Sequence, residues 1–269
     1  MKNKYFFLIL PMLILIGCGS DDESYDASIE NGISSYRFYY MDYPAAAHRV
    51  GDNNVDVVYD HGKIVKLIGD VSTLDPNSGY SYIFNKNLFT EVSYSSNTAT
   101  MQNKSIVNEG EWNKKIVEFT TDERLKYKII INDMQPLLRD TIAYFYQQGK
   151  LKSFEHHNRR FISKSEIFYN IQSDVDSVVT RFPNYIGPGQ PYFDPESQER
   201  IVRAFTNYDS TANPFKSFII FDESFYRSLS AHNYSKWEEF SYDYDGHVIG
   251  NSFAEWTFIR ENGIINFGL

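Results

Sequence analysis

The chain carries one cysteine, Cys18, so its sole thiol lies near the N-terminus at the end of an apolar run. A single Cys can form neither an internal disulfide nor a thiolate metal cage. Carboxylates are plentiful, with 35 Asp and Glu against 26 Lys and Arg, and two that face each other across a cleft could hydrolyse a glycoside. Glu238, Glu239 and Glu255 qualify by type, yet nothing in their spacing makes any two converge. His156 and His157 are adjacent, so on a strand their rings face opposite sides and cannot share a metal. Beside Arg159 and Arg160 they read as an exposed polar pair. Asp174-Val175-Asp176 and Asp243-Tyr244-Asp245-Gly246 do not continue into the ligand pattern of a calcium loop. No Gly-x-Ser-x-Gly elbow, phosphate loop, dinucleotide fingerprint or His-Glu-x-x-His helix occurs. The expectation is a protein that is not an enzyme, with no metal and no cofactor beyond what is attached at Cys18.

Lys2 and Lys4 precede an apolar stretch, 6–16, broken only by Pro11. It falls short of the roughly 20 apolar residues a transmembrane helix needs and fits the apolar region of a secretory signal. The stretch ends in Leu15-Ile16-Gly17-Cys18. Basic flank, apolar run, small residue and Cys in that order resemble the lipobox of bacterial lipoproteins. The resemblance implies loss of residues 1–17 and diacylation of Cys18, with a third chain on its amide. At about 0.8 kcal/mol per buried methylene, two or more chains anchor a protein to a membrane. Losing Lys2 and Lys4 takes the formal charge from -9 to -11. Ser20-Asp21-Asp22-Glu23 follows Gly19 and resembles the surface-export signal of Bacteroidota lipoproteins, although such residues also serve as a plain soluble tether. Residues 18–35 are polar without sustained periodicity and read as that tether.

Asp140-Thr141-Ile142, Asp176-Ser177-Val178 and Asp209-Ser210-Thr211 each resemble the O-glycosylation acceptor of exported Bacteroidota proteins. The resemblance makes Thr141, Ser177 and Ser210 candidate acceptors, which must then be exposed. Aromatics reach 17%, with 21 Tyr, 21 Phe and 3 Trp, a bias that favours strands. Exposed aromatic rings stack on sugars or anchor protein interfaces, whereas buried ones pack across strands. Tyr185, Tyr192 and Phe193 are the candidate ligand contacts. They lie in 183–195 among Pro183, Pro188, Pro191 and Pro195, a stretch that no central strand tolerates and that reads as a surface loop.

The elements that must position these residues are strands. Glu238, Phe240, Tyr242 and Tyr244 alternate with Glu239, Ser241, Asp243 and Asp245, an aromatic face against an acidic one. Leu125, Tyr127, Ile129 and Ile131 alternate with Lys126 and Lys128. Ile142, Tyr144 and Tyr146, and Ala254, Trp256 and Phe258, keep the same period. One face of each would pack on a core and the other meet water, as in antiparallel sheets. Turns recur at Tyr59-Asp60-His61-Gly62-Lys63-Ile64, Tyr146-Gln147-Gln148-Gly149-Lys150-Leu151, Tyr244-Asp245-Gly246-His247-Val248 and Arg260-Glu261-Asn262-Gly263-Ile264. Phe84-Asn85-Lys86-Asn87-Leu88 reads as a version without Gly, with Asn87 left-handed. Asn213 as N-cap and Pro214 at the first helical position predict one or two helical turns near 214–229, capping an end of the sheet, with Ile220 and Phe221 off the apolar stripe.

Tyr-Asp-x-Gly-Lys-Ile at 59–64 resembles the YD (RHS-type) repeat and repeat-bearing Bacteroidota lipoproteins. Those often also carry a segment like Asn207-Tyr208-Asp209 followed by Asn213-Pro214-Phe215-Lys216. The uneven spacing, 25 positions from Gly62 to Asn87 but 17 from Gly246 to Gly263, speaks against a closed YD shell. The expected fold is mainly β: a curved or layered antiparallel sheet of repeated hairpins, forming one domain over 36–269. A formal charge of -9 argues against nucleic acid. The function implied is a non-catalytic binding or scaffold module for a glycan or an envelope or partner protein, anchored to the outer membrane by lipid and facing the cell surface. The alternatives are a periplasm-facing carrier of apolar cargo, which requires a large apolar concavity, and a carboxylate-dependent surface glycoside hydrolase.

Overall fold

Three two-residue turns hold both residues at positive φ: His61–Gly62 (47° and 75°), Gln148–Gly149 (52° and 78°) and Asn262–Gly263 (50° and 77°). That is the type I′ geometry, whose twist matches the strands it joins. The computed structural model describes residues 32–37, 54–73, 82–107, 111–131, 139–158, 162–185, 191–192 and 196–268, with backbone alone at 71–73, 82–83, 184–185, 191–192 and 266–268. The strands are β1 (Ser35–Arg37), β2 (Asn54–Asp60), β3 (Lys63–Thr73), β4 (Tyr82–Tyr94), β5 (Thr98–Ser105), β6 (Glu111–Phe119), β7 (Leu125–Ile131), β8 (Arg139–Gln147) and β9 (Lys150–His157). They continue as β10 (Ile162–Tyr169), β11 (Val175–Arg181), β12 (Asn184–Tyr185), β13 (Pro191–Tyr192), β14 (Arg200–Tyr208), β15 (Tyr234–Tyr242), β16 (Val248–Glu255), β17 (Thr257–Glu261) and β18 (Ile264–Gly268). One helix, α1 (Phe225–Leu229), follows two short 3₁₀ turns, Lys216–Phe218 and Asp222–Ser224.

Sixteen strands form one sheet in the order β16-β15-β14-β11-β10-β9-β8-β7-β6-β5-β4-β3-β2-β1-β18-β17. Every neighbouring pair is antiparallel except β1 and β18. Trp256 alone separates β16 from β17, and its N–H donates to the Ser235 carbonyl at 2.9 Å. The two ends of the order are therefore halves of one continuous strand, and the sheet curls nearly into a barrel. This is the curved antiparallel sheet of hairpins expected from the sequence. The Pro-rich stretch stays outside it, with β12 and β13 forming a separate two-stranded ladder. The body begins ahead of residue 36, since Ile33 is buried and Ser35 opens β1.

A tyrosine recurs where a strand reaches its turn. The hydroxyls of Tyr59, Tyr94 and Tyr169 donate to the carbonyls of Ile33, Ile64 and Leu151 at 3.1, 3.0 and 3.0 Å, and Tyr208 donates to that of Val175. Each acceptor is a fully buried residue at the start of a neighbouring strand. Of these tyrosines, Tyr59 precedes one of the recurring Gly turns, and all four tie one hairpin to the next.

Several expectations are corrected. Asn87 is not left-handed: 82–94 is one strand, and residues 86–88 bulge opposite Gly69, with the Asn87 N–H bound to Asn85 Oδ1 at 2.8 Å. In β15 the faces are exchanged. Trp237 and Glu239 point inward, Phe240 and Tyr242 point out, and Asp243 and Asp245 belong to the turn after the strand. In β7 a bulge at Glu118/Phe119 turns Leu125 and Lys128 inward and leaves Tyr127 outside. Segment 214–229 forms the expected short helical turns at one end of the sheet, but it does more than cap that end. It enters the concave side, where Phe215, Phe218, Ile220, Phe221, Phe225 and Tyr226 are all buried, while Lys216 and Ser217 stay exposed.

Candidate functional site

The strand directions sort the connections into two rims. Strands β1, β3, β5, β7, β9, β11, β15 and β18 run one way and the other eight strands of the large sheet run the other. At one rim lie the tight turns 61–62, 95–97, 120–124, 148–149, 170–174 and 262–263, together with segment 209–233. The strand ends joined by 38–53, 74–81, 106–110, 132–138, 158–161, 182–199 and 243–247 all lie at the other. Long connections are where binding residues concentrate on a rigid scaffold.

Segment 209–233 seals the tight-turn rim and plugs the lumen. Asn213 Oδ1 accepts from the Phe215 N–H at 2.9 Å, as its capping role predicts, while its Nδ2 donates to the carbonyls of Arg227 and Ser230 at 2.6 and 2.9 Å. Buried Asp174 accepts from the His232 N–H at 2.8 Å, and Ser230 Oγ accepts from the Val175 N–H at 3.0 Å. Arg227 is fully buried; its guanidinium lies 3.8 Å from the Tyr234 ring centre and donates to the Tyr234 carbonyl at 2.9 Å. Such stacking suits a desolvated guanidinium.

Deeper in, Asp222 accepts from Lys115 at 2.7 Å and from the fully buried Lys128. Burial opposes its ionisation, but the charges of Lys128 and Lys115 outweigh that and hold the carboxyl well below the usual range. Its neighbour Glu223 behaves oppositely. Burial pushes it up to about 7, Asp222 and Asp70 add to the rise, and a backbone hydrogen bond and Lys115 oppose it. Lys128 could not be assigned an inward role from sequence, because its partner comes from a segment 94 positions away.

Above the plug a cavity of about 290 Å³ remains, reaching the ends of β7, β9 and β11 and the starts of β8, β10 and β14. This places it at the long-loop rim. Ile130, Ile142, Phe154, Phe182, Ile201 and Phe225 give it an apolar wall. Its polar groups are Arg203, bound to Glu239 at 2.6 Å, His156, 3.5 Å from Asp140, the Ser165–Thr180 hydroxyl pair at 2.8 Å, and Asp222. The cavity can hold a small, mostly apolar ligand with a few polar contacts. His156 was not legible as a lining residue: the two histidines do face opposite sides, but His156 points inward rather than to water.

Carboxylates named from the sequence do not converge. Glu239 faces inward to Arg203, Glu238 faces outward to Lys236 at 3.3 Å, and Glu255 accepts from Asn207 at 3.1 Å. Among the described residues no three His, Cys, Asp or Glu side chains gather as a metal site. Thr141 and Ser177 are half-buried on the outer face of β8 and β11, and Ser210 is exposed in the turn after β14. Tyr185 and Tyr192 belong to β12 and β13, where the backbone alone is described, and Phe193, Cys18 and Ser20, Asp21, Asp22 and Glu23 lie outside the described residues.

No protein-family model matches this chain, and comparison with curated proteins gives no significant match. Among solved structures, a porin-like protein from Bacteroides uniformis is similar over 79% of this chain and 79% of its own, with a TM-score of 0.44 and 10% identity. A porin-like protein from Bacteroides vulgatus is similar over 80% of this chain and 86% of its own, with a TM-score of 0.41 and 10% identity. Similarity this distant assigns neither function nor location.

Proposed function

We propose that this chain is a non-catalytic binding or scaffold module, lipid-anchored through Cys18 to the outer membrane and facing the cell surface, that engages a glycan or an envelope protein with its long-loop rim. The observation that carries this reading is the opposition of the two rims. The chain enters β1 at the tight-turn rim, because β1 runs antiparallel to β2, whose far end is the His61–Gly62 turn. A tether from Cys18 would therefore meet the body at the sealed end, and the strand ends that the longer connections join lie with the cavity at the opposite rim.

The outer face supports a body standing in water. Lys104 pairs there with Glu91 and Glu111, both at 2.9 Å, and Lys126 with Glu118 at 2.7 Å. A lipid-facing strand carries apolar residues at those positions. Among the described residues no helix is long and apolar enough to cross a membrane. The carrier alternative rests on the cavity, but its volume of about 290 Å³ suits a small ligand rather than a large apolar cargo, and the plug's Phe225 and Tyr226 form part of its lining.

The experiment is capture of envelope glycans and proteins by the purified full chain. In one variant, 132–138 and 159–161 are replaced by Gly-Ser segments of equal length; in another, Gln148-Gly149 is replaced by Asn-Gly. Loss of capture in the first variant and its retention in the second is expected. Equal capture by both would overturn the assignment to the long-loop rim, and release of bound lipid from the parent chain would favour the carrier.

A further inference from the structure

Exposed apolar side chains gather on the outer wall beside the tight turns. On β7, β8 and β10 these are Tyr127, Phe145 and Phe168, and Ile171 stands 95% exposed in the turn after β10. On β2, β17 and β18 they are Val58, Ile259 and Ile264. The strand residues point outward because their chain neighbours point in: Val57, Tyr144, Ile167, Phe258 and Ile265 pack in or against the core, and Lys128 beside Tyr127 is buried. None is more than three residues from its turn, which keeps the set within about 10 Å of the rim. The two groups occupy opposite flanks, separated by β3–β6 on one side and by β11, β14 and β15 on the other.

Lysines lie among them. Lys126 and Lys152 lie over the Tyr127 and Phe168 rings, at 5.3 and 4.3 Å from the ring centres. Lys63 and Lys150, each just after a tight turn, lie over Tyr94 and Tyr169 at 5.1 and 5.0 Å. Aromatic rings, and lysines whose stems run along apolar surface, are the side chains that settle at a membrane–water interface. Apolar residues are also exposed at the long-loop rim, as at Ile249, so exposure alone does not choose an end. The course of the chain does. The Ser34 N–H donates to the Gly263 carbonyl at 2.8 Å, so the chain enters the body beside Ile264, between β18 and β2. The 14 positions from Cys18 to Gly32 reach at most about 50 Å, so this is the rim delivered to a membrane that holds Cys18.

We infer that the tight-turn rim docks in the interface of the bilayer that holds the Cys18 lipid, with Ile171 and the two apolar flanks inserted among the headgroups. The inference rests on the anchoring proposed above. Interfacial insertion reaches about 5–10 Å, the depth of the band that these residues form. Higher on the wall the Lys104–Glu111 pair joins the far ends of β5 and β6 and stays in water. The barrel then stands on the membrane and holds its long-loop rim outward.

The test uses the full chain purified from outer membranes and placed in phosphatidylethanolamine–phosphatidylglycerol vesicles, with a nitroxide on Ile171→Cys, Phe145→Cys or Ile249→Cys. All three residues are exposed, and circular dichroism verifies the fold. Labels at 171 and 145 should lose collisions with an aqueous nickel chelate and gain them with oxygen dissolved in the lipid, while a label at 249 stays open to nickel. Labels at 171 and 145 as open to nickel as the one at 249 would overturn the inference. So would labels at 145 that broaden one another, since a second copy would then cover that flank. Oxygen contact at 249 equal to that at 145 overturns it as well, because the wall would then span the bilayer. The parent chain, labelled alongside, reports the anchor separately. A nitroxide on its Cys18 means that no lipid is attached there, and the anchoring falls and takes the inference with it; an unlabelled parent with water-exposed 171 and 145 overturns the inference alone.

Discussion

Replacing Glu223 with Gln tests how the plug is held. Glu223 is an acid whose pKa in the folded protein lies near 7, against an ordinary 4.5. Between those values the unfolded chain has released its proton and the folded chain has not. Stability therefore falls as pH rises through that window and stays reduced above it. The gap corresponds to about 3 kcal/mol, and because Glu223 keeps partial solvent contact, roughly half of that is the realistic expectation. The groups around it are Asp222 beside it, Tyr36 on β1, Asp70 on β3 and Lys115 on β6. Glu223→Gln removes the titration and little volume. Urea unfolding should show the variant about 1–2 kcal/mol more stable than the parent at pH 8 and nearly equal at pH 5. A variant less stable at pH 8, or an advantage that does not change with pH, would refute the account.

Asp222→Ala leaves Lys115 and Lys128 without their shared partner and should cost about 3–5 kcal/mol in urea unfolding; a loss below about 1 kcal/mol would mean that the lysines find water or another acid. Tyr94→Phe and Tyr169→Phe each remove one hydroxyl bound to a buried carbonyl and should each cost about 1 kcal/mol by thermal denaturation. Gly149→Ala meets nothing within 4 Å and is strained by its φ of 78° alone, about 1 kcal/mol. Gly69→Ala also puts a Cβ 2.4 Å from the Phe84 ring, so its loss in the same melt should clearly exceed that of Gly149→Ala.

The hairpins were legible because type I′ turns write themselves locally: His61-Gly62, Gln148-Gly149 and Asn262-Gly263 need no distant partner. Which face of a strand turns inward was less so. Alternation makes two faces but does not orient them, and a bulge exchanges them without trace in composition, as at Glu118/Phe119 and Ser241/Tyr242. Lys128 and Glu239 look like surface charges until Asp222 and Arg203 arrive from elsewhere in the chain. Asn213 and Pro214 signal a helical start, and short helical turns do form in 214–229. The burial of apolar residues there, Ile220 and Phe221 included, follows from closure of the sheet, which no local pattern records. The cavity was illegible for the same reason: its wall draws on strands from β7 to β14 that meet only when the barrel curls.

Surface display is tested most directly by protease shaving of intact cells, comparing the parent chain with a variant in which Ser20, Asp21, Asp22 and Glu23 are all alanine. The account predicts that the parent body is cleaved and the variant is protected. A parent body protected under conditions that cleave a known surface protein would contradict it.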